Sequence, residues 1–406
     1  MTENCARPKF LLPCTAGDFN YLPSLDGVRA LAVMLVVISH FGLSWVPAGF
    51  GVTIFFGLSG FLITRLLLSE QRLTGSVDIP LFYMRRMLRL GPALLFFVAV
   101  SSFIAWMIGW PPTGIELAGA LLYFQNYLNI HVLMHGDVGT MPYWPLWSLA
   151  VEEHFYLLFP FVFCLAAPRS KRLIIGVALL IVACLIWRGT LIMGTSLPSD
   201  YSDIATDARI DSIAFGVLLS LLLESPWRGR IIALANHTLA GLCALAVLLF
   251  CVVVRDAVFR ETLRYTLQSG ALFVLFAVLL FGNQAQAVRH WLASPALRWI
   301  GRLSYSLYLW NYPVIVTVDR LFPGDGIVAV LVGIPLLLIV VVTSYYLIEQ
   351  PFNGLRARLH TGRLPAAGAD RQPANVIGPS VRISQVGNPR SAAASTVRNG
   401  KIYDYV

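Results

Sequence analysis

The sequence is poor in charge. Only 13% of its 406 residues are Asp, Glu, Lys or Arg, whereas about a quarter is usual in soluble domains. Apolar residues make up 57% of the chain, and the mean hydropathy is +0.71. These values exclude an ordinary soluble domain and indicate a membrane protein. The net charge of +9 does not indicate nucleic-acid binding, because the basic residues lie in short stretches between apolar runs.

The sequence also lacks the cysteine spacing of a metal site and a recognisable cleaved signal. None of the six cysteines forms a C-x-x-C pair, and Cys164, Cys184, Cys243 and Cys251 lie within apolar runs as small hydrophobic residues. The segment 9–14 has too short an apolar core for a lipoprotein signal. We therefore predict no bound metal, and we expect the first spanning helix to direct insertion.

Long apolar runs are what the sequence has in abundance. A spanning helix needs about 20 mostly apolar residues, and the candidate segments are 28–46, 50–68, 91–110, 150–167, 173–193, 209–224, 231–253, 265–283, 303–322 and 326–347. We predict an all-α fold, a polytopic bundle of about ten transmembrane helices. The apolar stretch 115–130 is interrupted by Gln125 and Asn126 and is interpreted as an interfacial or re-entrant segment.

The distribution of basic residues predicts the topology, because positive charge marks cytoplasmic loops. With the N-terminus inside, the arginines at 85–89 and 169–172 are cytoplasmic, and the outer loop 111–149 has no Lys or Arg. Both termini are therefore predicted to be cytoplasmic. The predicted organisation is a cytoplasmic segment at 1–20, a membrane domain at 21–352, and a polar, disordered cytoplasmic tail at 353–406.

Two charged side chains on the first span are candidates for function, since charge inside a membrane is costly. Arg29 and His40 are eleven residues apart, which is about three helical turns, or roughly 16 Å along one face. Histidine is the commonest general base. A neutral histidine bonded to a neighbouring helix is an equally acceptable interpretation.

Arg86 and Arg89 precede the third apolar run and share a helix face. They can anchor the helix at the cytoplasmic surface and bind lipid head groups, or they can hold phosphates with paired donors. Both interpretations remain open at this point.

Two adjacent carboxylates, Glu152 and Glu153, enter a later span. Glu152 shares a helix face with Tyr156, while Glu153 points elsewhere. We expect one carboxylate at the interface and the other inside the bundle, next to a cation. The candidates for that cation are Arg29, His40 and Arg209.

Arg209 and Asp211 open another span, and a local ion pair is the simplest interpretation of this motif. Ser59 lies in Gly57-Leu58-Ser59-Gly60-Phe61, whose glycines permit close helix packing. The motif is not a G-x-S-x-G elbow, so a serine hydrolase is not supported.

In their order along 21–352, these motifs resemble the membrane acyltransferase family 3, polytopic enzymes that O-acylate sugars and some small molecules. The matching pieces are SLDGVRA at 24–30, the R-x10-H spacing of Arg29 and His40, FFGLSGF at 55–61, R-x-x-R at Arg86 and Arg89, WSLAVEEHFY at 147–156, RID at 209–211, SYSLYLW at 304–310 and EQPF at 349–352.

The sequence departs from the family pattern at two positions and at its end. Thr53 stands where many relatives have an acidic residue, and Asn311 stands where many have histidine. Both are neutral, so neither is expected to supply a base. Some relatives carry an esterase-like domain after the membrane core, whereas here a short tail follows. Acyl transfer is therefore expected to be completed by the membrane part or by a partner.

The resemblance implies an O-acyltransferase, most often an O-acetyltransferase, with acyl-CoA as co-substrate and no permanently bound cofactor. Arg29, Arg86 and Arg89 are expected to bind the CoA phosphates. His40 is expected to act as base for the acceptor hydroxyl, oriented or charged by Glu152, or to carry the acyl group transiently. Further residues expected to support the site are Ser59, Tyr156, Arg209, Asp211 and Tyr305.

The acceptor and the location are expectations from the family. A cell-surface glycan or glycolipid at the bacterial inner membrane is expected, and a macrolide-like small molecule is the alternative acceptor. A transporter or flippase without chemistry is the alternative class, because a bundle with buried charges suits it equally well.

Overall fold

The fold of the chain is entirely helical in the part that the structure describes. A computed structural model describes residues 21–43, 45–135, 142–166, 171–194, 200–323 and 326–361, and no strand occurs among them. The predicted all-α class is therefore confirmed. The predicted segment 1–20 and the tail beyond 361 lie outside the described residues.

The described helices follow one another with short connections. They are α1 (Pro23–His40), α2 (Ala48–Thr74), α3 (Ile79–Met107), α4 (Gly114–Leu121), α5 (Gln125–His135), α6 (Leu146–Ala166), α7 (Lys171–Gly194), α8 (Tyr201–Ile204), α9 (Thr206–Leu223), α10 (Arg228–Asn236), α11 (Thr238–Val253), α12 (Ala257–Glu261), α13 (Leu263–Phe281), α14 (Gln286–Leu292), α15 (Pro295–Arg302), α16 (Ser304–Leu321), α17 (Gly326–Ser344) and α18 (Gln350–Thr361). A 3₁₀ turn (Asn283–Ala285) precedes α14, and a π-helical segment (Tyr345–Glu349) joins α17 to α18.

Seven helices in the described residues are long and apolar enough to cross a membrane. They are α1, α2, α3, α6, α7, α13 and the continuous stretch Gly326–Arg356. A bent pair, Tyr201–Leu223 with Arg228–Asn236, raises the number to eight if it is one span. The predicted polytopic bundle is confirmed, with fewer qualifying spans than the predicted ten.

Three of the predicted spans explain the difference between ten and seven. The segment 209–224 qualifies only as part of the bent pair. The segment 231–253 is not one helix, because α10 ends at Asn236 and a separate, 16-residue α11 begins at Thr238. The prediction of a single span there was wrong. The segment 303–322 forms α16, whose side chains include Ser304, Ser306 and Asn311. These polar residues lower its hydropathy, and all three are buried against other helices.

The stretch that was interpreted as re-entrant forms two short helices, α4 and α5, which meet at Tyr123. The polar residues that interrupt it are buried. Asn126 Nδ2 donates to Thr206 Oγ1 at 2.9 Å, and Asn129 Nδ2 donates to the Trp144 carbonyl oxygen at 3.0 Å. These bonds satisfy the two amide nitrogens and hold the segment against the start of α9 and the turn before α6.

Glycines set the distance between α2 and α9. A Cβ atom on Gly216 would lie 2.0 Å from the Gly57 carbonyl oxygen, and one on Gly60 would lie 2.0 Å from the Ile213 carbonyl oxygen. The two backbones are therefore in direct contact, as the small residues of the 55–61 motif predicted. This contact fixes the position of α2, one wall of the cavity described next.

The helix at the end of the membrane domain continues beyond the predicted boundary at 352. The π-helical segment Tyr345–Glu349 passes directly into α18, which ends at Thr361. Wider π-helical turns occur mostly as short insertions near functional sites. Here the insertion carries Glu349, which is buried and bonded to Ser306 Oγ.

Candidate active site

A cavity of about 810 Å³ lies between α1, α2, α3, α6 and α16. We call it the arginine cavity. It brings together seven of the predicted site residues: Arg29, Ser59, Arg86, Arg89, Glu152, Tyr156 and Tyr305. Its remaining lining is mostly apolar and includes Val52, Phe55, Leu58 and Leu62 from α2. His40, Arg209 and Asp211 do not line it.

The three arginines of the arginine cavity differ in whether an acidic side chain neutralises their positive charge. Arg86 Nη2 pairs with Glu153 Oε1 at 2.8 Å, and its guanidinium carbon lies 3.2 Å from the centre of the Tyr156 ring. Arg29 donates from Nε and Nη2 to Ser304 Oγ, at 3.2 and 3.1 Å. Within the described ranges, neither Arg29 nor Arg89 forms an ion pair with a carboxylate.

Arg89 carries the least compensated charge. None of the described residues forms a hydrogen bond with its guanidinium group. The positive charges of Arg29, Arg86 and Arg356 repel it. Glu349 acts on Arg29 and Arg89, and Asp26 acts on Arg29, but neither carboxylate forms an ion pair with these arginines in the described residues. A cavity wall of this kind favours an anionic ligand, because guanidinium groups bind phosphates through paired donors.

The two adjacent carboxylates of α6 have different surroundings. Glu153 meets Arg86, so the prediction that one carboxylate contacts a cation is confirmed. The cations proposed for this contact, Arg29, His40 and Arg209, were wrong, since α3 rather than α1 or α9 supplies it. Glu152 faces the cavity and accepts a hydrogen bond from the Tyr156 hydroxyl at 3.2 Å.

Tyr123, in the turn between α4 and α5, adds a polar group near this cluster. Its φ of +58° lies in the left-handed region, which bulky residues seldom adopt. Burial raises the pKa of the Tyr123 hydroxyl, and the Glu153 carboxylate raises it further. The hydroxyl is therefore protonated at neutral pH and is a hydrogen-bond donor.

His40 lines a second cavity of about 760 Å³, which we call the histidine cavity. Its other lining residues are Phe41, Gly42, Tyr312, Ile315, Val316, Asp319 and Gly326. His40 Nδ1 is hydrogen-bonded to Asn311 Oδ1. The prediction that Glu152 orients His40 was therefore wrong: Glu152 faces the arginine cavity from α6, whereas His40 faces α16.

Arg29 and His40 do share one face of α1, as their spacing predicted. Arg29 contacts Ser304 near the start of α16, and His40 contacts Asn311 two turns further along the same helix. The two helices therefore run side by side in the same direction. Arg29 lines the arginine cavity, whereas His40 lines the histidine cavity.

Tyr308 contributes a polar hydroxyl and an aromatic ring to the arginine cavity. It lines the arginine cavity and is one helical turn before Asn311. Its hydroxyl donates to the Pro145 carbonyl oxygen at 2.9 Å and therefore accepts from Ser148 Oγ, 2.6 Å away. Its ring packs edge-on against Phe55 at 6.4 Å. Both rings therefore belong to the lining of the arginine cavity.

Arg209 and Asp211 belong to a separate buried network. Arg209 donates to Asp203 Oδ1 and Thr53 Oγ1, both at 2.9 Å, whereas Asp211 pairs with Arg188 at 2.7 Å. The predicted local ion pair between Arg209 and Asp211 was wrong. Residues two apart on a helix point in different directions, so each side chain finds its partner elsewhere.

Replacing Arg188 with leucine is expected to destabilise the fold by about 3–5 kcal/mol. The change leaves the fully buried carboxylate of Asp211 without its counter-charge. Thermal unfolding of the detergent-solubilised protein, followed by fluorescence-detected gel filtration, measures the effect. Arg172→Leu, an exposed position on the same helix, is the matched control. Equal melting temperatures for the two variants would contradict this role of Arg188.

Residues 22–349 match the family model described as an acyltransferase domain. This chain belongs to the membrane acyltransferase family 3. With its apolar helices, it is a multi-pass membrane protein that carries an acyltransferase domain. The arginine cavity and the histidine cavity both lie within the matched residues.

Two relatives in this family come from Staphylococcus aureus. O-acetyltransferase OatA of strain NCTC 8325 / PS 47 is 33% identical over 350 residues, which cover 82% of this chain and 57% of the relative. A putative O-acetyltransferase of strain COL is 33% identical over 362 residues, which cover 83% of this chain and 58% of the relative. The chain thus spans little more than half the length of these relatives. No solved structure matches it.

Several residues of the acyltransferase domain that take part in these contacts were not singled out from the sequence. Arg188 is the clearest case. Its position within the apolar run 173–193 could have identified it, because a charged residue inside a span requires a partner. Asp203 and Tyr308 gave no such signal. Their importance depends on contacts with residues far away in the sequence.

Proposed function

We propose that the protein is a membrane O-acyltransferase, and specifically an O-acetyltransferase, that uses acyl-CoA as donor. The observation that carries this proposal is the pair of arginines without a carboxylate ion-pair partner in the described residues, Arg29 and Arg89, in one cavity, with the half-buried His40 further along the same helix as Arg29. CoA has anionic phosphates and a thin pantetheine arm. The phosphates suit the guanidinium groups, and the arm suits the apolar wall of α2.

In the proposed reaction His40 acts as general base. Its imidazole takes the proton of the acceptor hydroxyl while the hydroxyl oxygen attacks the thioester carbonyl carbon. The carbon–sulfur bond then breaks, and the CoA sulfur leaves with that proton as a thiol. The products are the acyl ester and CoA, and the imidazole returns to its neutral form.

The second route makes His40 a transient acyl carrier. The Nε2 lone pair of the imidazole attacks the thioester carbonyl carbon, the carbon–sulfur bond breaks, and CoA leaves as the thiolate. The acceptor hydroxyl then attacks the acyl-imidazolium, and the hydroxyl proton balances the charge of the thiolate, so the products are again the acyl ester, CoA and the neutral imidazole. The separation of the two cavities supports this route, since donor and acceptor then do not have to occupy one tunnel together.

The proposed acceptor is a hydroxyl of a cell-surface glycan or glycolipid, and the proposed location is the bacterial inner membrane. The names of the two relatives support O-acetyl transfer. The excess of arginine at the end that holds Arg29, Arg86 and Arg89 supports a cytoplasmic donor site and cytoplasmic termini. A macrolide-like acceptor would use the same donor site and base.

Acceptor-dependent release of CoA tests the proposal. The purified protein in lipid nanodiscs is incubated with acetyl-CoA labelled in the acetyl group, with and without candidate glycolipid acceptors. We expect free thiol and labelled ester to appear together, and only with the acceptor. A protein that moves a glycolipid across liposomes without releasing CoA would instead be a transporter. Carbohydrate analysis of a deletion strain identifies the acceptor hydroxyl.

A further inference from the structure

The amide of Asn311 has a defined orientation. Its side chain is fully buried in α16. Nδ2 donates to the carbonyl oxygens of Leu307 and Tyr308, at 2.8 and 2.7 Å. A carbonyl oxygen only accepts hydrogen bonds, so these two contacts determine which end of the amide carries the nitrogen. Oδ1 is then the atom that faces Nδ1 of His40.

This orientation determines the tautomer of His40. An amide oxygen is an acceptor only, so its partner Nδ1 has to carry a proton. A neutral imidazole has one N–H group, which leaves the lone pair on Nε2. We propose that Asn311 is a positioning residue that holds His40 in its Nδ1–H tautomer, so that Nε2 is the reacting nitrogen. This inference rests on the proposed function.

The proposed role serves both candidate routes. As a base, Nε2 takes the hydroxyl proton; as a carrier, Nε2 forms the bond to the acyl carbon. In either case Nδ1 keeps its proton, so the hydrogen bond to Asn311 persists throughout the reaction. The ring therefore stays in one orientation while its charge changes.

The partner of His40 is neutral, which distinguishes this arrangement from a carboxylate–histidine pair. Two titratable groups on α16 face the same cavity. The Tyr312 ring lies edge-on to the imidazole at 5.6 Å, and Asp319 lines the cavity further out. The lining residues from α17 and from the end of α1, Gly326 and Phe41, are not titratable. The amide thus orients His40 without placing a negative charge next to the imidazolium form.

Asn311→Asp tests this role through the pH profile of acetyl transfer. A carboxylate of the same shape stabilises the imidazolium form of His40. A higher pH is therefore needed to obtain the neutral base. We expect the acid limb of kcat/KM to move to higher pH by about one to three units, with activity retained above it. A merely structural role would leave the limb unchanged, and that result would overturn the proposal.

Asn311→Leu removes the orienting oxygen. We expect kcat to fall roughly 10- to 100-fold, the size of a lost hydrogen bond to a group that becomes charged, while KM for acetyl-CoA is unchanged. Thr317→Val, on the same helix and away from His40, is the control. Wild-type kcat in the leucine variant would overturn the proposal. If the leucine variant fails to fold, the aspartate variant carries the test.

The tautomer itself is measured independently of activity. Nitrogen NMR of protein labelled with ¹⁵N-histidine distinguishes protonated from unprotonated ring nitrogens, and the difference from a His40→Gln spectrum assigns the signals. We expect a protonated Nδ1 and an unprotonated Nε2 at high pH. The opposite tautomer would overturn the inference, whereas absent CoA release in the wild type would count only against the proposed function.

Discussion

Replacing His40 with alanine is expected to lower acceptor-dependent CoA release by about 10²- to 10⁴-fold, the usual contribution of a general base. If His40 carries the acyl group, release is expected to fall to the uncatalysed background. In both routes the loss arises because no other basic side chain within the described ranges bonds to Asn311 or occupies that position at the end of α1. The measurement is labelled acetyl transfer in nanodiscs at matched protein concentration.

His290→Ala is the control for this variant, since His290 is an exposed histidine on α14. It is expected to leave transfer unchanged. Normal transfer by the His40 variant at matched folding would remove His40 from the mechanism. The histidine cavity would then have to be assigned another role.

Rapid quenching separates the two routes that require His40. In the carrier route, mixing the wild-type protein with acetyl-CoA and no acceptor releases about one thiol per protein in a burst, and peptide mass analysis locates an acetyl group on His40. In the direct route, neither the burst nor the adduct is expected. The distinction matters because only the carrier route allows the donor to leave before the acceptor binds.

Some features of this site follow from helical geometry alone, and the sequence was sufficient for them. Arg29 and His40 were placed on one face from their spacing, and both contact α16. Arg86 and Arg89 were placed on one face in the same way, and both line the arginine cavity. A helix repeat is local, so these relations do not depend on the rest of the fold.

The partners of the charged groups were not predictable in the same way. Glu153 rather than Glu152 meets Arg86, and Asp211 meets Arg188. Helical spacing restricts the direction in which a side chain points, but the helix that it meets there depends on how the whole bundle packs. The placement of His40 outside the arginine cavity has the same origin, because it depends on which helices pack around each end of α1.

Thr53 and Asn311, at which the sequence departs from the family pattern, have similar hydrogen-bond partners. Thr53 accepts a hydrogen bond from Arg209, and Asn311 accepts one from His40. Each is a neutral oxygen next to a basic side chain. That neither supplies a base stays a prediction, and the aspartate variant of Asn311 tests it for the second position.

Replacing Arg89 with glutamine is expected to raise KM for acetyl-CoA roughly 10- to 100-fold with little change in kcat. Hydrogen bonds to charged groups are worth about 1.5–3 kcal/mol, and each 1.4 kcal/mol is about tenfold in affinity. The phosphates are remote from the reacting carbonyl, so their loss weakens ground state and transition state alike. Initial rates of thiol release over a range of donor concentrations give both constants.

Arg85→Gln is the matched control, because Arg85 lies on the same helix but pairs with Glu70 at 2.6 Å and does not line the arginine cavity. Truncated donors sharpen the comparison. Acetylpantetheine lacks the adenosine and terminal phosphates, so wild type and Arg85→Gln are expected to lose affinity for it, whereas Arg89→Gln loses much less. Equal losses in all three proteins would show that Arg89 does not bind CoA phosphates. The cluster would then be an anchor for lipid head groups, the alternative that its position next to a span allows.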